Sequence, residues 1–289
     1  MSTTRTPRQI IQTLLPHLKM AAAYARQMQS QIAVLPAKEQ GDNFFSAALT
    51  DADLAIQNFV EVALLGSFPN VRFYGEEYES SRNTKYFRST ELGSQGDYLV
   101  TLDPIDGTQF YLDGHSNYQI ILSILNADDF EAVIAISPSE NVYFYALQGE
   151  GAFQGTLDKD LADCSSLQLK NAQPNILLGS NMGYLAPDLK DKYQVIDLPN
   201  VYSREVQIPN LNGMFSGDLT GAAIRKGKFI DGAALGFIAR QAGCIVTKLD
   251  GTDIPPLHTC SDYSLPGLLI ATSSLVHQDL VKAAQNTSG

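Results

Sequence analysis

Tyr98-Leu99-Val100-Thr101-Leu102-Asp103-Pro104-Ile105-Asp106-Gly107-Thr108 is the stretch whose reading decides the fold. Its first half is a short apolar run that predicts a buried strand. That strand delivers two carboxylates, Asp103 and Asp106, with the rigid Pro104 between them, to one end of a sheet. Burying two like charges side by side is costly unless a cation lies between them. Asp, Pro and Gly are also common turn residues, and a turn accounts for one Asp ahead of Pro-x-x-Gly. It does not account for a second Asp followed by Gly107-Thr108. Residues 103–108 therefore read as a site for a metal and a phosphate.

Working outward, Val71-Arg72-Phe73-Tyr74 reads as a strand that runs into Gly75-Glu76-Glu77, and Thr50-Asp51-Ala52-Asp53 opens a helix. Downstream, Asp231 begins Gly232-Ala233-Ala234-Leu235-Gly236, with Gln241-Ala242-Gly243 following. These four elements, in this order, resemble the inositol monophosphatase family. Residues 103–108 match its D-P-I/L-D-G-T signature, 75–77 its G-E-E, 50–53 its T-x-A-D element and 231–243 its W-D-x-A-A-G…E-A-G-G segment. Residues 145–153 are similar to its A-x-x-G-x-G-A-F hairpin, where the glycines read as structural. Members of this family are magnesium-dependent, often lithium-sensitive phosphatases. The resemblance implies an α/β (α+β) fold, a layered α-β-α-β-α sandwich of the sugar-phosphatase type with mixed and antiparallel sheets. It also implies one phosphatase domain over 1–289 with two packed lobes, a metal-binding one over about 1–170 and a second over 171–289.

Composition agrees with a single ordered enzyme. At 289 residues with 44% hydrophobic content the chain buries a large core. A net charge of −11, from 20 basic and 31 acidic residues, argues against a nucleic-acid polymer as partner. It does not argue against a small phosphorylated substrate when divalent cations bridge acid to phosphate. No apolar run is long enough to cross a bilayer and no signal-peptide pattern is present. The three cysteines, Cys164, Cys244 and Cys260, show no paired spacing, which fits reduced thiols and a cytoplasmic location. Four scattered histidines and the lack of a Gly-x-Ser-x-Gly elbow argue against zinc and serine hydrolases.

Thr6-Pro7-Arg8-Gln9 predicts a capping box with Pro at the first helical position. Ile11, Leu14, Leu18, Ala22, Ala25, Met28 and Ile32 then keep a helical apolar stripe, which Pro16 kinks or restarts. A second helix is expected over 51–65, burying Ile56, Phe59, Val60 and Ala63. Residues 80–96 are polar and read as a long surface loop able to fold over the site. Runs at 118–125, 132–137 and 141–147 predict an antiparallel meander. A second lobe brings strands at 176–179, 245–249 and 268–271, a helix after Asp231 and a last helix from Ser273 or Ser274.

The resemblance also assigns the chemistry. Two hard cations, roughly 3.5–4 Å apart, clamp the attacking and leaving oxygens of a phosphate monoester and activate a water. Two or three Mg2+ ions are expected. Glu76, Asp103 and the Ile105 carbonyl would hold one; Asp103, Asp106 and Asp231 would hold another, with Asp103 bridging. The amides of Gly107 and Thr108, at a helix start, would seat the phosphate. The Thr108 hydroxyl, paired with Asp53, would orient or deprotonate the attacking water. Two plainer readings stay open: Asp53 as a first-turn helix acid and Asp231 as a helix N-cap. Glu77 reads either as sharing the duty of Glu76 or as its solvated neighbour, and ranks lower because alternation turns it to the opposite face. Asp51 and Asp113 read as surface residues.

Departures from the family bear on the substrate. Ile230 stands where a tryptophan normally precedes the last aspartate, and Phe110-Tyr111 replaces the usual Asn-Phe. Ile224 falls near an acidic sugar contact of inositol-specific members, and Arg225, Lys226 and Lys228 follow it. These cations read either as a solvated turn or as recognition of a second phosphate. The expected activity is hydrolysis of a small phosphate monoester, inositol monophosphate-like or a sugar phosphate. Alternatives are a 3'(2'),5'-bisphosphate nucleotidase, a fructose-1,6-bisphosphatase-like activity, or a catalytically silent homologue that binds metal or sugar phosphate. The family further suggests a homodimer.

Overall fold

The computed structural model describes residues 6–31, 50–77, 92–93, 96–169 and 172–286. Helix α1 (Pro7–Met28) opens on the expected capping box, with Thr6 Oγ1 accepting the Gln9 N–H and the Gln9 side chain accepting the Thr6 N–H. It runs unbroken through Pro16, which is exposed. Ile11, Leu14, Leu18, Ala22 and Ala25 are buried, Met28 is half-buried, and Ile32 lies outside the described residues. Helix α2 (Asp51–Ser67) buries Ile56 and Val60, with Phe59 and Ala63 packed partly exposed on the same core.

Strand β1 (Arg72–Gly75) lies parallel to β2 (Leu99–Asp106). After the short helix α3 (Thr108–Leu112), strands β3 (Gln119–Leu125), β4 (Phe130–Ser137), β5 (Val142–Leu147), β6 (Gly151–Thr156) and β7 (Ser165–Ser166) add on antiparallel. The expected meander is thus the centre of a seven-stranded sheet ordered β1 to β7. Its β5–β6 turn uses Gly149 and Gly151 at φ +74° and +93°, a conformation that L side chains resist. Most of the expected 80–96 loop lies outside the described residues.

The rest of the chain comprises β8 (Asn175–Leu178), α4 (Ala186–Leu189), β9 (Gln194–Asp197), α5 (Leu198–Val201), α6 (Gly213–Ser216), β10 (Gly221–Ile224), β11 (Gly227–Lys228), α7 (Gly232–Gln241), β12 (Ile245–Thr247), β13 (Ser264–Leu265), β14 (Leu268–Ala271) and α8 (Ser274–Asn286). Five of these strands form a mixed sheet ordered β12-β14-β10-β8-β9, and β11 pairs with β13 in a small ribbon. The expected lobe boundary at 170/171 falls outside the described residues; β7 before it and β8 after it belong to different sheets.

Strand alternation explains the layering. Val100, Leu102, Ile120, Leu122, Ile134 and Ile136 face α1 and α2 on one side of the large sheet. Leu99, Ile121, Val133, Ala135 and Phe144 face the opposite way, against α7 and the inner residues Leu177, Ala222, Leu268 and Ile270 of the second sheet. Ile176, Leu178, Ala223, Leu269 and Ala271 then point outward onto α4 and α8. The order is helices, sheet, helix, sheet, helices. Helix α7 lies between two sheets, which is why Ala233 to Ala239 are all buried and its sequence is apolar on every face. Among the described residues no helix is long and apolar enough to cross a membrane.

Candidate active site

The two aspartates of β2 share a face only because the strand is irregular. Asp103 pairs with Ile121 and Asp106 with Gln119, so three steps along β2 span two along β3. In a regular strand residues three apart point to opposite faces; one extra residue at a bulge reverses that. Pro104 suits this position because it cannot donate to the ladder. Glu76 follows β1, and its N–H donates to the Leu102 carbonyl at 2.9 Å. The pairing thereby continues one residue past the strand and sets Glu76 beside Asp103. Asp231 arrives from elsewhere, as the N-cap of α7, with Oδ1 accepting the Gly232 N–H.

Glu76, Asp103, Asp106 and Asp231 all line one cleft of about 580 Å3, together with Ile105, Gly107 and Thr108. No His or Cys is among the described residues that line it. As the side chains stand, no three or more His, Cys, Asp or Glu among the described residues form a closed ion cage. The carboxylates face a shared space without converging on one point. Burial raises Asp106 to about 7, helped by the charges of Asp231 and Glu76 and opposed by hydrogen bonds from Gln119 and Asn210. Burial likewise raises Asp231 to about 6, opposed first by Lys228. Mutual repulsion of this kind is what a bound cation relieves.

Gly107 caps α3 at φ +83°. A Cβ there would meet only ordinary contacts, the nearest being Asn210 Nδ2 at 3.5 Å, so the demand for glycine is conformational. The Thr108 hydroxyl donates to the Ile105 carbonyl at 2.9 Å and lies 3.4 Å from Asp53 Oδ1. Asp53 does not line the cleft. It is fully buried behind Thr108, and its other oxygen accepts the Thr50 N–H at 2.8 Å and the Thr50 hydroxyl at 2.5 Å. One carboxylate oxygen therefore caps α2 while the other faces Thr108.

Two expectations change, and a third is refined. Glu77 is not a solvated neighbour: it is 2% exposed, outside the cleft, with its N–H on Gln57 Oε1 at 2.9 Å. Asp113 is not a surface residue. Its side chain is 8% exposed and holds Arg204 Nε at 3.2 Å, Gln109 Nε2 at 2.8 Å and the Tyr202 hydroxyl. Of the cations after Ile224, Arg225 and Lys226 are exposed and Lys228 is half-buried, and all three line the cleft. Asp51 is exposed, as expected.

Sequence reasoning missed Gln119 and Asn210. Gln119 is fully buried on β3, and its Nε2 donates to Asp106 Oδ2 at 3.0 Å. Asn210 lines the cleft and donates to the Asn117 carbonyl at 3.2 Å. It ends a strap, residues 202–210, whose Ser203 carbonyl meets His115 Nε2 at 3.0 Å, whose Gln207 Oε1 accepts the Ser116 N–H at 2.8 Å, and whose Ile208 carbonyl accepts Asn117 Nδ2 at 2.7 Å. The only sequence signal for Gln119 is its cross-strand register with Asp106, which requires knowing the bulge.

Comparison with known proteins places this chain among the phosphoric monoester hydrolases. The chain belongs to the inositol monophosphatase family, whose model matches residues 11–288. A SuhB protein of Neisseria meningitidis is 26% identical over 245 residues, covering 81% of this chain and 86% of that protein. A histidinol-phosphatase of Mycobacterium tuberculosis is 26% identical over 239 residues, covering 81% and 83%. A solved IMPase/NADP phosphatase in complex with Mg2+ and phosphate superimposes with a TM-score of 0.67 at 21% identity, covering 96% of this chain and 95% of that one. The superposition carries the fold; the names of these relatives differ in substrate.

Proposed function

We propose that the protein hydrolyses a small phosphate monoester with magnesium bound at the acid end of the cleft, in one domain of two packed lobes. The observation that carries this reading is that Glu76, Asp103, Asp106 and Asp231, distant in sequence, line one cleft beside the amides of Gly107 and Thr108. The donor set fits the ion: carboxylate and carbonyl oxygens without His or Cys suit a hard cation. Glu76, Asp103 and the Ile105 carbonyl would hold one ion, and Asp103, Asp106 and Asp231 another, in a total of two or three. Bound there, magnesium supplies Lewis acidity toward the phosphoryl oxygens and a water made acidic enough to attack.

The chain's own groups do the rest. The amides of Gly107 and Thr108 receive phosphoryl oxygens where the left-handed Gly107 starts α3. Thr108 Oγ1 accepts a hydrogen bond from the attacking water, and Asp53, 3.4 Å behind it, takes the proton passed on by the hydroxyl. Glu76, which lines the same cleft, would help to orient that water. Lithium inhibition, a homodimer and a cytoplasmic location extend the same reading. The test is phosphate release from a panel of inositol, sugar, histidinol and nucleotide phosphates, with and without magnesium. Release that needs magnesium is expected; equal release after chelation, or none from any ester, ends the proposal.

A further inference from the structure

Lys228 stands apart from the two cations before it. Arg225 and Lys226 are exposed, whereas Lys228 is half-buried, and it lines the cleft together with Glu76, Asp103, Asp106 and Asp231. Its backbone is pinned. Strand β11 pairs with β13 through Lys228↔Ser264, the Phe229 N–H donates to the Tyr263 carbonyl at 2.8 Å, and the Asp231 N–H donates to the Lys228 carbonyl at 3.2 Å. Tyr263 in turn stacks on Tyr74 of β1 at 5.6 Å, with the Phe229 ring edge-on to it at 6.2 Å. Tyr74 and Glu76, two residues apart in one extended run, share a face. The β11–β13 ribbon is thereby docked on the side of the large sheet that carries Glu76, and the chain leads from it directly into Asp231.

That docking sets one ammonium among acids. After burial, the Lys228 charge is the largest influence on Asp231, and likewise on the Tyr74 hydroxyl. It is felt on both sides of the gap between α7 and β1, the part of the cleft where an ion is proposed. A lysine ammonium is a compact, strongly hydrated point charge, without the planar fork that commits an arginine to an oxyanion. Such a charge compensates a carboxylate when no metal is there and repels a divalent ion that enters.

We infer that Lys228 is a resident counter-ion of the acid end: it compensates Asp231 in the metal-free protein and competes with the magnesium ion that Asp231 would hold. The inference rests on the metal-dependent reading of the cleft and adds the residue that sets how tightly the ion is kept. Lys228 acts through charge alone and is a positioning residue, not a catalytic one.

The experiment uses the full chain without substrate. Magnesium binding is measured by calorimetry, and melting is followed in chelator and in saturating magnesium. Lys228→Met is expected to bind magnesium about tenfold more tightly than wild type, the scale of a unit charge set against a divalent ion across a wet cleft. It is also expected to melt below wild type in chelator and to regain that loss in magnesium. Lys228→Arg, which keeps the charge, binds within about threefold of wild type. Lys228→Gln repeats the measurement with a neutral polar side chain in the ribbon. Unchanged or weaker magnesium binding in both neutral variants overturns the inference. A loss of melting temperature that magnesium does not restore in either of them overturns it too, by marking Lys228 as a packing residue. Both results leave magnesium binding by the wild type intact; its absence there overturns the metal-dependent reading itself, and the inference with it.

Discussion

The two ends of the cleft are built on different principles. At the acid end, Glu76, Asp103 and Asp106 sit at neighbouring strand ends of one sheet, a bulge aligns the two aspartates, a left-handed glycine follows them, and Asp231 N-caps α7. The backbone itself places the charge. The opposite end is assembled from connections: residues 179–181 after β8, Leu198 in α5 and the turn carrying Arg225; Asn210, at the end of the strap, stands between the two ends because its side chain also bonds Asp106. Side-chain clasps hold these pieces together. On the proposed reading, reaction chemistry is tied to ladder geometry, which tolerates little drift, and recognition to loops, which tolerate substitution.

The comparison breaks most visibly at the acid end. Asp103→Asn and Asp231→Asn each remove one charge from the set while keeping size and shape. Asn remains a good N-cap at position 231, so helix α7 and the fold are expected to persist. Loss of several kcal/mol of charge stabilisation corresponds to a fall in kcat on the order of a thousandfold or more. The check is steady-state kinetics alongside circular dichroism and melting. Wild-type turnover in either folded variant would remove the idea that these carboxylates carry the reaction.

That end was also the more legible one in the sequence. The hexapeptide 103–108 was legible because its candidate residues are contiguous there, and Gly75-Glu76 abuts it through the β1–β2 ladder. The bulge that aligns Asp103 with Asp106 was not legible, since a strand's irregularity depends on its partner's register. The two readings of Asp53 could not be separated either: a capping box and a functional acid share one sequence signature, and Asp53 both caps α2 and faces Thr108. Elements of two to four residues, such as α5, α6, β10, β11 and β13, are too short for periodicity to register. Asp113 read as a surface residue because its partners Tyr202 and Arg204 lie far along the chain.

Gln119 tests how far ladder geometry extends behind the acids. Its amide donates to Asp106 Oδ2, while its Oε1 is buried without a hydrogen-bond partner in the described structure. An acceptor left in this state costs stability, so packing alone is a poor reason for a glutamine here. Gln119→Leu preserves approximate volume and removes both the donor and the orphan oxygen. The expected result is a melting temperature close to wild type in chelator, with magnesium affinity weakened roughly 10–100-fold, as for partners of metal ligands elsewhere. Titration of magnesium followed by calorimetry or by the thermal shift measures it. Unchanged affinity would confine backbone control to the carboxylates themselves.

The smallest effect is expected at the clasp, where Asp113→Ala releases the strap from α3. Arg204 is 76% exposed, so its ion pair contributes little. The Tyr202 hydroxyl and the Gln109 amide are the stronger attachments, and losing them costs on the order of 1–2 kcal/mol of stability. Asp106 keeps its bond to Gln119 in this variant, and Gly107 keeps its conformation, so the chemical step has no reason to slow. Leu198, which precedes the clasp in sequence, loses its anchor and lines the cleft less often, while Asn210 keeps its bonds to the Asn117 carbonyl and to Asp106. The outcome should be a KM raised about threefold with kcat within about twofold of wild type, the pattern of weakened ground-state binding. A fall in kcat instead, at unchanged KM, would mean that the strap acts through Asn210 on Asp106 and that the two ends are mechanically one.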